Sequence, residues 1–343
     1  MRARTLFAAA TALGAAACAA PQDYLHTAGF AADRIATLGW FALLSFSATI
    51  VVMWILIGWI AVRRRGTLAE HAPVDAGGGQ RWILVGGLAI PAAVLAILFV
   101  TAMETLSAFP MQHLGPGNPE VCTDAGQILV TGRQWWFEAQ YRYPEVERNF
   151  KVATELHIPV GKPVDILLQS ADVIHSFWIP KLHGKVDLVP GQVNHVRIQA
   201  DRAGVYEGEC GEYCGVQHAH MRLQVVAQSQ EDYDAWVEQQ RKDAAGDPAW
   251  DEARRGRDVF MAAACPLCHT VRGTEALGQV GPDLTHVGSR NRIAGGMLKN
   301  DVANLAAWVT HAQSLKPGAQ MPDLTQFSGR DLRALTAYLQ NLR

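Results

Sequence analysis

The chain has 343 residues, 49% of them apolar, and 30 basic against 32 acidic side chains leave a formal charge of −2. That length exceeds one ordinary domain, and the near-neutral balance provides no basic field for nucleic acid. Six cysteines, at positions 18, 122, 210, 214, 265 and 268, are too few for a disulfide scaffold, so each must be read as a cross-link or a ligand.

Arg2 and Arg4 precede an apolar, alanine-rich stretch from Leu6 to Ala17 that ends in small residues. This is the pattern of a secretory signal, assigned to residues 1–17, and it is too short to span a bilayer. Small residues directly before Cys18 also resemble a bacterial lipoprotein processing site, although position 15 is Ala where that motif has a bulkier aliphatic residue. Cys18 is therefore a lipidation candidate, the alternative being an ordinary signal peptide cut nearby.

Within the segment 18–104, the stretches between Arg34 and Arg63 and between Arg81 and Glu104 carry no charged side chain. Roughly 20 apolar residues span the hydrocarbon core, so transmembrane helices are predicted over about 36–62 and 82–103. Trp40, Trp59 and Trp82 lie near the ends of these runs, where indoles favour the interface. Arg63, Arg64, Arg65 and Arg81 crowd the connecting loop, which places that loop in the cytoplasm and everything after Glu104 outside.

From about Gly126 to Val226 the apolar period becomes two. Val152, Thr154, Leu156 and Ile158 form one alternating run, Val164, Ile166 and Leu168 another, then Val196 and Ile198. Turns at Gly161, Pro190-Gly191 and Ala203-Gly204 punctuate them, predicting an antiparallel sandwich or barrel over residues 105–228. That domain ends in Cys210-Gly-Glu212-Tyr-Cys214-Gly-Val-Gln-His218-Ala-His220-Met221. Thiolate, imidazole and thioether together form a soft donor set that selects copper over zinc. A Cys210–Cys214 disulfide is the alternative, but it leaves His218 and Met221 without a role.

The motif Cys-x-Glu-x-Cys-x3-His-x2-Met resembles, without a gap, the binuclear copper centre of subunit II of the haem–copper cytochrome c oxidases. Asp172-Val-Ile-His175-Ser-Phe-Trp-Ile-Pro180 resembles the segment that supplies the family's other histidine. The resemblance covers about residues 30–228 and implies a cupredoxin barrel in which two thiolates bridge two coppers. The implied ligands are His175, Cys210, the backbone carbonyl of Glu212, Cys214, His218 and Met221, with a magnesium ion at the subunit I interface held through Glu212. His183 and His220 stay outside this set, in surface or hydrogen-bonded roles. Gly132-Arg-Gln-Trp135-Trp136-Phe137 resembles the family's aromatic run, whose first indole passes electrons towards copper. The family commonly reads Trp-Tyr-Trp there, so only Trp135 carries over. Many members place a carboxylate at the start of the second helix for proton intake. Here Gly77-Gly-Gly-Gln-Arg-Trp82 has none after Asp75, so that role does not carry over.

Residues 229–250 read as a polar linker, with a short helix around Asp232, Trp236 and Glu238. Cys265-Pro-Leu-Cys268-His269 then presents the c-type haem attachment pattern: two thiols for the vinyl groups and a histidine for the iron. A bare CxxC suits a redox disulfide or half a zinc site equally, and the following histidine on an exported chain favours haem. Helices are predicted from Asp251 to Ala264 and from Arg330 to Leu342. The sixth iron ligand has three candidates, Met261, Met297 and Met321. Met261 lies on the attachment helix, and Met321, in Lys316-Pro-Gly-Ala-Gln-Met-Pro322, resembles the methionine loop of class I cytochromes c. Gly281-Pro282 resembles the segment whose proline carbonyl accepts the histidine ring N–H.

The fold class expected is therefore a multidomain membrane protein with a two-helix transmembrane hairpin, an all-β cupredoxin barrel and an all-α class I cytochrome c domain over 251–343. The order of parts resembles subunit II of the caa-type oxidases, an enzyme subunit whose oxygen-reducing site lies in another chain. The resemblance implies one covalently bound haem c, a dicopper centre and electron flow onward to haem a of subunit I, coupled to proton translocation. Implied partners are subunits I and III, and as donor a soluble or membrane-bound cytochrome c or a quinol–cytochrome c reductase complex. The implied location is the bacterial inner membrane, with copper and haem domains on the periplasmic side. The alternative is a membrane-anchored copper and haem carrier of a nitrous-oxide-type reductase, which calls for a histidine-rich second copper site that the twelve scattered histidines do not form.

Overall fold

A computed structural model describes residues 22–63, 79–107, 127–244, 248 and 250–343. The signal segment, Cys18, Cys122, Arg64, Arg65 and Asp75 lie outside the described residues. The chain divides into two compact units, residues 33–110 and the remainder.

The smaller unit is helical. Helix α1 spans Phe30–Arg63 and α2 Gln80–Ser107, each long and apolar enough to cross a membrane, with none of its apolar window buried by protein. Their hydroxyls turn back onto their own backbone, as where Ser45 bonds the Phe41 carbonyl and Thr105 that of Thr101. Such internal satisfaction is what an apolar solvent requires. In α2, Pro91 has no N–H to offer the carbonyl four residues back, and the helix widens into a π stretch over Ile83–Ala89 just before it.

In the larger unit, ten strands form two five-stranded sheets. They are β1 (Gln127–Arg133), β2 (Trp136–Arg142), β3 (Phe150–Ala153), β4 (Glu155–Pro159) and β5 (Val164–Ser170), followed by β6 (His175–Trp178), β7 (Val186–Leu188), β8 (Asn194–Ile198), β9 (Gly204–Cys210) and β10 (Arg222–Gln228). One sheet has the order β3-β2-β1-β5-β8, the other β4-β10-β9-β6-β7. The sheets are mixed, which corrects the antiparallel expectation: β1 pairs parallel with β5, and β10 with β4. The chain repeatedly changes sheet, so spatial neighbours are often distant in sequence.

The run Val152 to Ile158, expected as one strand, is two strands in different sheets. Thr154 sits between them at φ 69°. Its N–H bonds the Phe137 carbonyl in the first sheet, and its carbonyl accepts from Gln224 in the second. The left-handed turn at a β-branched residue is unfavourable, and bonds to both sheets hold it. Phe137, Leu156, Ile166, Phe177, Ile179 and Leu223 fill the space between the sheets.

The stretch expected as a linker begins with a packed helix, α3 (Gln230–Arg241), capped by the Ser229 hydroxyl on the Asp232 N–H. Its Trp236 stacks on His157 with ring centres 4.0 Å apart, closing the barrel beside Tyr141 and Phe150. The C-terminal part is α4 (Asp251–Ala262), α5 (Cys265–Cys268), the small hairpin β11 (Arg292–Ile293) and β12 (Leu298–Lys299), α6 (Val302–Thr310), α7 (Ala312–Leu315) and α8 (Gly329–Asn341). Helices α4 and α8 cross where Gly256 meets Ala334, with Phe260 and Tyr338 packed beside the crossing.

Candidate metal and haem sites

The first cluster forms at one end of the barrel, where β6 and the turn between β9 and β10 meet. His175 opens β6, fully buried, and Cys210 closes β9. The antiparallel pairing of Phe177 with Cys210 puts these two elements side by side. The ligand atoms of His175, Cys210 and Cys214 all lie within 4.8 Å of one another. The two sulfurs are 3.8 Å apart and unbonded, so the disulfide alternative is not adopted. Cys210 Sγ lies 3.9 Å from His175 Nδ1 and 3.1 Å from the Glu212 carbonyl oxygen. Cys214 Sγ lies 3.7 Å from His218 Nδ1 and 3.8 Å from Met221 Sδ. All six groups singled out in the sequence thus converge.

The donor chemistry fits a pair of soft cations. The thiols cannot ionise independently: donation from Cys214 pulls the Cys210 thiol down, while the same bond and burial push Cys214 up. A bound cation takes the place of the shared proton. Asp172 Oδ1 lies 2.7 Å from His175 Nε2; a carboxylate accepts, so Nε2 carries the hydrogen and the Nδ1 lone pair faces the sulfurs. Asp172 also accepts from the Gln134 N–H at 2.8 Å. Gly132 is required beside them, since a Cβ there would stand 2.7 Å from the His175 ring. Asp172, Gln134 and Gly132 had no assigned role in the sequence; an acidic residue three before a ligand histidine was the available signal.

Of the remaining residues, His183 is buried and bonds the Gly184 carbonyl, while His220 bonds Gln217. The Glu212 carboxylate turns away from the sulfurs to Lys185, at 3.2 Å.

The second site is a cleft of about 1240 Å³, counting the part open to solvent, bordered by Cys265, Cys268, His269, Pro282 and Met321. Neither Met261 nor Met297 borders it. His269 Nδ1 lies 2.8 Å from the Pro282 carbonyl. A carbonyl only accepts, so Nδ1 donates and Nε2 is the nitrogen left for a metal. Burial lowers the His269 pKa, with the Pro282 bond opposing it, which keeps the neutral, ligating form. Gly281 lets the ring in, because a Cβ there would lie 2.5 Å from it. Two free thiols, a fixed imidazole and a thioether around a large apolar cleft fit a covalently attached haem.

The two sites share a wall. Trp135 and Trp136 of the barrel border the cleft. Trp135 is buried, and its indole Nε1 donates to the Cys214 carbonyl at 2.9 Å, where Gln134 Nε2 also donates at 2.8 Å. Further bonds join the same two lobes: Asn291 N–H to Glu155 Oε2 at 2.9 Å, Arg222 N–H to the Gly295 carbonyl at 2.9 Å, and Gln217 Nε2 to the Pro317 carbonyl at 3.0 Å.

Residues 139–229 match the family described as cytochrome c oxidase subunit II, periplasmic domain, and residues 253–343 match cytochrome c. The chain is 37% identical over 295 residues to cytochrome c oxidase subunit 2 of Alkalihalophilus pseudofirmus, covering 86% of this chain and 83% of that one. It is 30% identical over 296 residues to the protein of the same description from Bacillus sp. strain PS3, covering 82% and 80%. With that of Bacillus subtilis it shares 27% identity over 334 residues, covering 93% and 91%.

Proposed function

The chain belongs to the cytochrome c oxidase subunit II family, and from that premise we propose that it relays electrons from its own covalently bound haem c to a dicopper centre serving a terminal oxidase. The observation that carries this reading is the double membership of Trp135: it borders the haem cleft and hydrogen-bonds the backbone of Cys214. The oxidase relatives set aside the nitrous-oxide-type alternative.

Copper would be held by His175, Cys210, the Glu212 carbonyl, Cys214, His218 and Met221. Haem would be attached through Cys265 and Cys268 and its iron held by His269 and Met321, with Pro282 fixing the histidine. When bound, these groups supply one-electron redox chemistry. The chain's own residues orient and insulate. Asp172 sets the His175 tautomer and Pro282 that of His269. His175, Cys210, Cys214 and Met221 are buried, which shields both sulfur bridges from bulk water, while Glu212 and His218 are half-buried. Trp135 supplies the conducting contact between the sites.

The oxidase reduces oxygen in subunit I, to which this chain passes electrons at haem a, with proton translocation there. Subunit III completes the assembly. The donor is a soluble or membrane-bound cytochrome c or a quinol–cytochrome c reductase complex. The two apolar helices anchor the chain in a bacterial inner membrane, with both redox domains on the periplasmic side. Glu212 is the proposed holder of an interface magnesium ion, which would have to displace the Lys185 ammonium from its carboxylate, and Cys18 is the proposed lipid anchor. Metal and haem analysis with a near-infrared spectrum tests the reading. It requires two coppers per haem c, and a chain carrying one zinc or lacking copper would sink it.

A further inference from the structure

Among the described residues, Lys316 is the one lysine in the buried core, 2% exposed. Its Nζ lies 2.7 Å from the carbonyl oxygen of Trp135, 3.0 Å from that of His220 and 3.0 Å from that of Ala294. An ammonium has three N–H bonds and no acceptor, so three carbonyls use its capacity completely. A neutral amine would leave one carbonyl without a donor. Burial pulls the Lys316 pKa down to about 7, with the nearby Cys214 sulfur working the other way; three carbonyl acceptors at 2.7–3.0 Å match the ammonium, which alone has three N–H donors.

What these acceptors belong to gives the contact its meaning. Trp135 is the shared wall, and His220 sits in the turn between the copper ligands His218 and Met221. Lys316 itself begins the loop that leads to Met321. One side chain therefore ties the backbone of the copper loop, the conducting tryptophan and the methionine loop to a single point. Burying a lysine between two lobes is costly, and apolar packing would hold them with less penalty. The backbone is nevertheless shaped around it. Ala294, Gly295 and Gly296 take φ of 56°, 69° and 82°, a left-handed run that turns the Ala294 carbonyl onto Nζ. A Cβ on Gly295 would stand 2.4 Å from both Nζ and the Trp135 oxygen.

We propose that Lys316 is a positioning residue for the electron step between the haem cleft and the copper site, its ammonium clasping the methionine loop to Trp135 and the copper loop so that transfer starts from a preset docked arrangement. The proposal rests on the relay reading above. In that step one electron moves: ferrous haem is oxidised, the copper pair is reduced by one electron, and no atom or proton is transferred. Without the clasp the remaining interlobe bonds hold the docked arrangement less firmly against an undocked, tethered state, whose return is governed by the effective concentration its linker sets.

The test uses the full-length, cofactor-loaded chain, with haem rapidly photoreduced and its oxidation by copper followed at rising glycerol viscosity. The expected wild-type rate is independent of viscosity. Lys316→Met, which keeps the apolar stem, should transfer about tenfold or more slowly and become viscosity-dependent, the scale on which small misplacements act. Its haem and near-infrared copper spectra should remain those of the wild type. Hydrogen exchange at the Arg222 and Asn291 amides, both bonded across the lobes, should accelerate. Lys316→Gln, with two N–H donors, should recover part of the rate, and it decides the question together with the wild-type series if the Met variant does not assemble. A viscosity-limited wild type, or a Met variant with wild-type rate and exchange, overturns the proposal. Failure of the relay reading looks different: no copper, or no haem-to-copper transfer in the wild type at all.

Discussion

The indole N–H of Trp135 donates to the carbonyl oxygen of Cys214 at 2.9 Å, across 79 residues of sequence. The bond joins the wall of the haem cleft to the backbone of a copper ligand. Trp135→Phe retains a ring and removes the donor, leaving that carbonyl to Gln134 alone. We expect a stability loss of about 1 kcal/mol and slower haem-to-copper transfer, with copper content unchanged. Transient absorption after photoreduction measures the rate, and a wild-type rate would remove Trp135 from the route.

Asp172 fixes which nitrogen of His175 faces the sulfurs. Asp172→Asn can present its amide N–H instead of an acceptor and so loses the hold on the tautomer. Outer partners of metal-bound histidines typically contribute about 10–100-fold in affinity. Copper affinity, followed by competition with a chelator, should fall within that range, and an unchanged affinity would contradict the orienting role.

Met321 is the thioether that borders the cleft His269 also lines. Met321→Ala should abolish the low-spin Met/His spectrum and lower the haem potential, because Met ligation raises it. Redox titration with optical spectra reads both. Retention of the low-spin spectrum would transfer the role to Met297.

Glu155 gives the contact between the lobes a pH dependence. Burial raises its pKa, but the hydrogen bond from His157, the charge there and the Asn291 N–H outweigh burial and hold it below its ordinary 4.5. A depressed folded-state pKa means the unfolded chain binds the proton first. The stabilisation is therefore complete above pH 4.5 and is lost as pH falls through the lower folded value. The protection factor of the Asn291 amide, exchange corrected for its intrinsic pH dependence, should fall on acidification in that window. Glu155→Gln should flatten the response, and an equally steep acid response in that variant would point to another group.

Gly256 permits the α4–α8 crossing. A Cβ there would stand 1.9 Å from the Ala334 carbonyl oxygen, which is backbone and cannot swing aside. Gly256→Ala should destabilise the haem domain by about 1–3 kcal/mol or more, although alanine is the better helix former. Denaturant unfolding followed by haem absorbance measures it, and a stabilised variant would mean that the helices can separate freely.

The chemistry was legible in the amino-acid sequence where it is local. Cys210 to Met221 and Cys265 to His269 each place their donors within a few residues of one another, so donor chemistry and the resemblance those motifs carry pointed to copper and haem. The apolar runs of α1 and α2 were equally plain, because a bilayer imposes length and lack of charge on consecutive residues. Tertiary structure decided what depends on distant backbone. Alternation from Val152 to Ile158 looked like one strand, since a period of two is blind to the left-handed turn at Thr154 that passes the chain from sheet to sheet. The shared wall at Trp135 and the Lys316 clasp use backbone carbonyl acceptors that leave no spacing signature, whereas the His175 partner, three residues before it, left only a faint one. A backbone carbonyl is present at every residue, and only the fold selects which three of them meet one ammonium.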